Sequence, residues 1–237
     1  MRRFAAAEAR QGVAVDKKHF YAVDNRSIGK YDKVTGDRRA QWDAGGDASI
    51  VHLNSGVIVG DRLYCAHSNY PAVPMVSSIE VFDAQTLDHV GSHPLSDAPG
   101  SATWVDRFHG AWWVVFANYE GRGAQPGRGP SATALTRYDP FWKAEAAYTF
   151  PPEVIERFGS RSNSGGSWRN QLIYATGHDA AEVYVLQLPE TGGVLSLVDV
   201  VPAPIEGQGI AWDPTEPGTL YGIVKRTREV VVMREVP

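Results

Sequence analysis

One phrase returns five times along this 237-residue chain, and that return limits what it can fold into. Each copy has a small polar residue, a Gly or Ala and a short apolar strand, with a second apolar strand close behind. The copies are Gln11-Gly12-Val13-Ala14-Val15 with Phe20-Tyr21-Ala22-Val23, Ser55-Gly56-Val57-Ile58-Val59 with Leu63-Tyr64-Cys65-Ala66, and Ser101-Ala102-Thr103-Trp104-Val105 with Trp113-Val114-Val115-Phe116. Ser164-Gly165-Gly166-Ser167-Trp168 with Leu172-Ile173-Tyr174-Ala175 and Gln208-Gly209-Ile210-Ala211-Trp212 with Leu220-Tyr221-Gly222-Ile223 complete the set. The small residue recurs at Gly12, Gly56, Ala102, Gly165 and Gly209, at intervals of 44, 46, 63 and 44 residues. That interval suits one four-stranded propeller blade, and such a unit buries its apolar face only by stacking on its neighbours. The expected fold is all-β: a five-bladed β-propeller of four-stranded antiparallel blades, a single domain over residues 1–237.

The rest of each repeat fits two further strands. Three copies close the third strand with an aromatic residue and Asp (Tyr31-Asp32, Phe82-Asp83, Tyr138-Asp139), and a short carboxylate there can accept the backbone N–H two residues on and open a tight turn. Fourth strands are expected near Arg38-Trp42, Asp88-His93, Ala144-Phe150 and Leu195-Val201. The fifth repeat ends at Val230-Met233-Val236 with no fourth strand, and Arg3-Ala7, ahead of the first repeat, can supply it. Pairing the first segment with the last closes the ring and leaves no open sheet edge. Two insertions break the period. Glu120 to Pro130 is rich in Gly and Pro and reads as a flexible loop. Pro151 to Phe158 opens with prolines and an early acid and reads as a short helix, the one helix expected.

Composition excludes some functions. The net charge is −4 and no basic run exceeds two residues, so the electrostatic footprint of a nucleic-acid binder is missing. No stretch is apolar enough to cross a membrane as a helix, and the N-terminus lacks the apolar run of a signal peptide. The chain as written is expected in the cytoplasm, or in the periplasm or outside the cell if a leader has been removed, and as a monomer. The single cysteine, Cys65, lies inside an apolar strand and reads as a core residue.

Function should gather where the ring converges. Successive strands of a blade run antiparallel, so loops before first strands and after second strands share one face. Those ten segments are unusually polar. Arg10, Gln11, Asn54, Asn69, Tyr70, Asn118 and Gln208 are candidates to bind a substrate, joined by Arg122 and Arg128 if the Glu120–Pro130 loop folds over the mouth. Guanidinium suits two-point recognition of a carboxylate, so the expected ligand is a small anion. His67, His178 and Asp179 are candidate catalytic residues. Imidazole and carboxylate ligate divalent metals while amides orient water or substrate, so His52, Asn163 and Glu206 are candidate ligands for Ca, Mg, Mn or Zn. No organic cofactor is expected. His19 and His109 fall at the opposite turns, and His89 and His93 on an outer strand.

The phrases His52-Leu-Asn-Ser-Gly-Val57, Ala66-His-Ser-Asn-Tyr-Pro71, Ser162-Asn-Ser-Gly-Gly166, Thr176-Gly-His-Asp179 and Pro204-Ile-Glu-Gly-Gln208 resemble those of bacterial propeller proteins labelled cycloisomerase, over essentially the whole chain. That resemblance implies lactonizing chemistry of the muconate type. More distantly, the strand pairs resemble gluconolactonase and strictosidine synthase-like propellers, which implies a central divalent metal with Asn163 and Glu206 in ligand positions. The chain departs from that second group in having five repeats, histidines at the mouth and no aspartate to match its third ligand. Two classes of function fit. One is a lactonase or lactonizing cycloisomerase in which a cation polarises a carbonyl and a histidine moves the proton; the other is a sugar- or metabolite-binding propeller without turnover.

Overall fold

The computed structural model describes residues 1–96 and 98–234. Twenty strands form five four-stranded antiparallel sheets. Blade 1 contains β2 (Gly12–Val15), β3 (His19–Asp24), β4 (Ser27–Asp32) and β5 (Arg38–Asp43); blade 2 contains β6 (His52–Val59), β7 (Arg62–Ser68), β8 (Ser77–Asp83) and β9 (His89–Leu95). Blade 3 contains β10 (Ser101–Phe108), β11 (Ala111–Ala117), β12 (Ala134–Tyr138) and β13 (Ala144–Thr149); blade 4 contains β14 (Asn163–Arg169), β15 (Leu172–Gly177), β16 (Glu182–Gln187) and β17 (Ser196–Pro202). Blade 5 is made of β18 (Ala211–Trp212), β19 (Thr219–Val224), β20 (Glu229–Arg234) and, as its outer strand, β1 (Arg2–Ala5) from the other end of the chain.

The closure follows the expected logic. β1 pairs antiparallel with β20, Arg2 opposite Val232 and Ala5 opposite Glu229. Phe4 then stacks on Phe20 of blade 1 at 5.3 Å, and the buried Glu8 accepts a hydrogen bond from Tyr31 Oη at 2.5 Å. The N-terminal segment therefore seals the edge of blade 5 and is clamped to blade 1 as well. Val236, placed in the fifth repeat's third strand by the sequence, lies outside the described residues.

Stability resides between the blades. Trp104, Trp113, Trp168, Tyr184 and Phe158 are buried in one cluster where blades 3 and 4 face each other, and Phe108 stacks on Trp168 at 4.4 Å. The expected helix, α1 (Pro152–Phe158), covers that cluster with Val154 and Phe158. Two 3₁₀ turns, Pro130–Ala132 and Gly159–Arg161, were not foreseen. The third-strand aspartates act as expected: Asp32 Oδ1 accepts the Val34 and Thr35 N–H groups, Asp83 Oδ1 those of Gln85 and Thr86, and Asp139 Oδ1 those of Phe141 and Lys143. Cys65 is fully buried, which pushes its thiol pKa up. The Glu120–Pro130 loop is irregular but tied down, since Gln125 takes the Met75 N–H and donates to Asn118, and Arg128 donates to the Pro99 carbonyl at 2.9 Å.

Candidate ligand site at the polar mouth

The recurring small residues mark the neck of the ring. A Cβ on Gly209 would lie 2.4 Å from Ser55 Oγ and 2.7 Å from Gly12 Cα, so only glycine lets these first strands meet. The Gly209 N–H donates to the Gln11 carbonyl at 2.9 Å and joins blade 5 to blade 1 there. Above the neck, the pairing register slips in three first strands: between Leu53 and Gly56, between Ala102 and Trp104, and between Asn163 and Gly165. A β-bulge re-aims the extra residue. Here the slips bring Asn54, Thr103 and Ser164 into the lining of one cavity of about 710 Å³.

That cavity is the mouth anticipated from the strand ends. Of the candidate residues, Arg10, Gln11, His52, Asn54, Tyr70, Arg122, His178, Asp179 and Gln208 line it. Its amides are already fixed: Gln11 donates to Asn25 Oδ1 at 2.7 Å, Asn54 to the Ala102 carbonyl at 3.2 Å and Gln208 to the His178 carbonyl at 2.8 Å. His52 leans against Tyr70 with 5.1 Å between rings, and Tyr70 meets Tyr119 at 5.1 Å. Burial, aided by the positive surroundings of Arg10, pulls the His52 pKa down to about 4, so the ring is neutral at physiological pH.

Charge gathers on the far wall. His178 Nδ1 lies 2.8 Å from Asp179 Oδ2, and Lys225 Nζ lies 2.7 Å from Asp179 Oδ1 and 2.8 Å from the His178 carbonyl. Arg161 NH1 approaches Asp179 at 3.5 Å. Partial burial works to raise the Asp179 pKa, but the Lys225 and His178 hydrogen bonds win and hold it at about 2. Burial lowers the pKa of His178, with Asp179 opposing. Arg10 lies 3.9 Å from Asp24, which Arg228 already holds at 2.7 Å. Arg122 has no hydrogen-bond or ion-pair partner among the described residues and sits over the Tyr70 ring at 5.9 Å. Four cations thus surround a cavity holding two carboxylates, Glu120 and Asp179.

Six candidates fall outside the lining. His67 is buried between β7 and β8, its Nε2 3.0 Å from the Val51 N and its Nδ1 2.9 Å from Ser78 Oγ. Asn69 clasps its own loop, accepting from the Val76 N–H and donating to the Pro74 carbonyl. Asn118 is buried, donates to the Ala132 carbonyl and accepts from Gln125. Asn163 is fully buried with its amide spent: Oδ1 accepts from Thr103 Oγ1 and Trp104 Nε1, and Nδ2 donates to the Gly165 and Thr176 carbonyls. Glu206 turns to the Arg226 backbone N–H at 3.0 Å and to its guanidinium at 3.1 Å. Arg128 likewise points away, to Pro99. His52, Asn163 and Glu206 therefore do not fit together as one metal-binding set, and among the described residues no group of three or more His, Cys, Asp or Glu side chains is placed to hold a metal ion.

The structure adds lining residues that the repeat pattern did not reveal. Thr103 arrives by its bulge, and Ser160 and Arg161 arrive on the turn after α1. The two insertions also meet: the Glu120 N–H donates to the Ser160 carbonyl at 3.0 Å, and Thr133 Oγ1 bonds Ser162 Oγ at 2.6 Å. A larger cavity, about 910 Å³, opens at the opposite mouth, but its walls are chiefly strand side chains such as Val15, Val57, Val105, Trp168 and Trp212.

No family model and no curated protein matches this chain. Among solved structures it is similar to the crystal structure of Myxococcus xanthus glutaminyl cyclase, with a TM-score of 0.68 and 14% identity over 99% of this chain and 94% of that one. It is also similar to a chain of the nidogen/laminin complex, TM-score 0.52 and 15% identity over 84% of this chain and 66% of that one. A third likeness is to U3-55K, TM-score 0.51 and 11% identity over 94% and 80% of the two chains. Identities this low speak for architecture alone, and the architecture is a five-bladed β-propeller closed by its N-terminal strand.

Proposed function

We propose that the polar mouth binds a small carboxylate-bearing metabolite and that the protein is an enzyme opening or closing a lactone-type ring on it. The observation that carries this reading is the convergence of Arg10, Arg122, Arg161 and Lys225 on one cavity of a chain whose net charge is −4, with the Arg122 guanidinium uncommitted. Guanidinium pairs with carboxylate by parallel hydrogen bonds, and a cavity of about 710 Å³ suits a metabolite rather than a polymer.

The chemistry belongs to the His178–Asp179 pair. His178 Nδ1 lies 2.8 Å from Asp179 Oδ2 but also 3.1 Å from Lys225 Nζ and 3.2 Å from Arg161 NH1, which can only donate. With those cations turned to Asp179 and the His178 carbonyl, Nδ1–H donates to Asp179 and Nε2 is free to take a proton. Lys225 keeps Asp179 ionised, so the carboxylate orients the ring and offsets the charge it gains. In the hydrolytic direction, His178 removes a proton from water as the oxygen attacks the lactone carbonyl, then returns it to the departing alkoxide. Closing a hydroxy acid to its lactone is the same path reversed, with water released. Closing a muconate-type acid instead adds the substrate's own carboxylate oxygen across a C=C bond, and a protonated His178 delivers the proton to the neighbouring carbon. The arginines polarise the carbonyl, and the neutral His52 can donate or accept a hydrogen bond beside it.

The rigid hydrogen bonding of the mouth amides favours a second reading, a metabolite-binding propeller without turnover. Calorimetric titration with aldonic acids, small dicarboxylates, their lactones and neutral sugars, followed by assays of lactone hydrolysis and muconate lactonization, separates the two. Acids that bind and turn over support the enzyme; acids that bind without turnover support the binding protein. Neutral sugars binding as tightly as the acids would sink the anion reading altogether.

A further inference from the structure

We propose that His67, although it faces away from the cavity, is a positioning residue for the mouth: its imidazole holds the Val51 N–H and so fixes the Val51–His52 wall. Hydrogen-bond direction fixes the tautomer of the ring. A backbone N–H can only donate, so His67 Nε2, 3.0 Å from Val51 N, must be the bare nitrogen of a neutral ring. The proton then resides on Nδ1, which donates to Ser78 Oγ at 2.9 Å. Ser78, having accepted, passes its own hydrogen to Glu80 Oε1 at 2.5 Å. Glu80 is buried and also accepts from Ser92 Oγ at 2.9 Å and from His89 Nε2 at 2.8 Å. Every member has one consistent role, and the carboxylate at the end sets the direction of the whole chain.

The relay begins at the mouth and ends on the outer strand of blade 2. Val51 and His52 both line the cavity, and Val51 lies just ahead of β6, where no sheet partner serves its N–H. Carbonyls of the preceding loop are held from the other side, since Arg26 donates to the Gly45, Asp47 and Ile50 carbonyls. His67 is therefore the anchor of the Val51 donor, and through it of the ring that leans on Tyr70. The significance of this wall for a ligand rests on the function proposed above; the relay itself does not.

The test is amide hydrogen exchange at Val51, read by NMR on the full chain, with the His52–Tyr70 ring contacts followed by nuclear Overhauser effects. His67→Leu, which fills the space without an acceptor, should speed Val51 exchange at least tenfold and weaken the ring contacts. His67→Gln, whose Oε1 can accept, should restore most of the protection. Ser78→Ala never touches Val51, yet it should also speed its exchange, because the imidazole loses the partner that fixes its tautomer. That third variant keeps the claim exposed if His67→Leu fails to fold. Val51 protection equal to the parent in Ser78→Ala, or in a folded His67→Leu, overturns the proposal. These readouts involve no ligand, so a failure to find a bound carboxylate leaves them standing.

Discussion

The two ends of the ring are built from the same strands, yet one is polar and the other largely apolar. At the larger cavity, first and second strands are joined by turns as short as Gly60-Asp61, His109-Gly110 and Asn170-Gln171, where Gly60, His109, Gly110, Asn170 and Gln171 all take positive φ. Short hairpins keep much of the wall on strand side chains such as Val15, Val57, Val105 and Trp168, and the turn residues Asp16, Lys17, Lys18, Asp61 and Asp213 line the rest. At the polar mouth several connections are longer and three first strands carry bulges, so Arg122, Arg161, His178 and Lys225 reach in from loops and His52 from the start of β6. The contrast teaches that connection length, more than strand composition, decides which end can host chemistry.

Ring closure underlies both ends, and breaking it should have the largest effect. Deleting residues 1–8 removes β1, the Phe4–Phe20 stack and the Glu8–Tyr31 bond together. We expect a loss of about 4 kcal/mol or more in chemical denaturation, enough to leave much of the chain unfolded, with both mouths lost at once. A truncated protein that melts like the parent would show that β1 is dispensable to the ring.

Much of this architecture is legible in the sequence because it is periodic. Gly12, Gly56, Gly165 and Gly209 recur at the one level where the strands crowd, and the missing fourth strand of the last repeat points to Arg3-Ala7 as its replacement. The site is only partly legible, for a definite reason. Placing residues on the mouth face is a matter of strand direction, but a residue's orientation depends on bulges and side-chain partners that no spacing encodes. His67 lies at the right level and faces β8, and Glu206 lies at the right level and turns to Arg226. Thr103 and Arg161 go the other way, carried into the cavity by a bulge and by an aperiodic insertion.

The two mouths should also titrate in opposite senses. Asp106, buried at the apolar end, has its pKa pushed up to about 6 by burial, against the hydrogen bonds from the Trp168 and Arg107 N–H groups and Ser167 Oγ. Its folded value exceeds the unfolded one, so its contribution is fully present below about pH 4 and fades as pH rises through 6. His52 at the polar mouth runs the other way. Its folded value of about 4 lies below the unfolded value of about 6.5, so its contribution is present above that and fades as pH falls toward 4. Each accounts for on the order of 3 kcal/mol at most. Unfolding free energies measured from pH 4 to 7 should climb more steeply with pH in Asp106→Asn than in the parent, and less steeply in His52→Asn. Variants that keep the parent's slope would mean that the two ends do not differ in this way.

Charge removal should sharpen the contrast without touching the fold. Arg122→Ala should weaken binding of a carboxylate identified by calorimetry about tenfold, the scale of one lost charge-assisted contact, and Arg161→Ala should do the same. Both side chains are exposed, so melting temperature should move little. Raising the salt concentration should weaken parent binding more than it weakens binding by either variant. Affinity unmoved by both substitutions would take the arginines out of the site.

The smallest effect should come from the loop that carries Arg122. Its backbone is irregular, but Gln125 holds it by accepting the Met75 N–H at 3.3 Å and donating to Asn118 Oδ1 at 3.4 Å, and a Cβ at Gly123 would press into the Tyr70 ring at 2.5 Å. Both contacts fix where the guanidinium stands over Tyr70 rather than how well the blades pack. Gln125→Ala should therefore cost about 0.5–1 kcal/mol of stability, the net worth of a part-buried hydrogen bond, and weaken carboxylate affinity two- to threefold as Arg122 gains freedom. Binding at the polar mouth should change while the apolar end keeps its Asp106 titration. If Gln125→Ala moved the melting temperature as far as Asp106→Asn does at pH 7, the loop would be part of the ring's framework, and the division of the molecule into a rigid lower end and a decorated upper one would fail at that point.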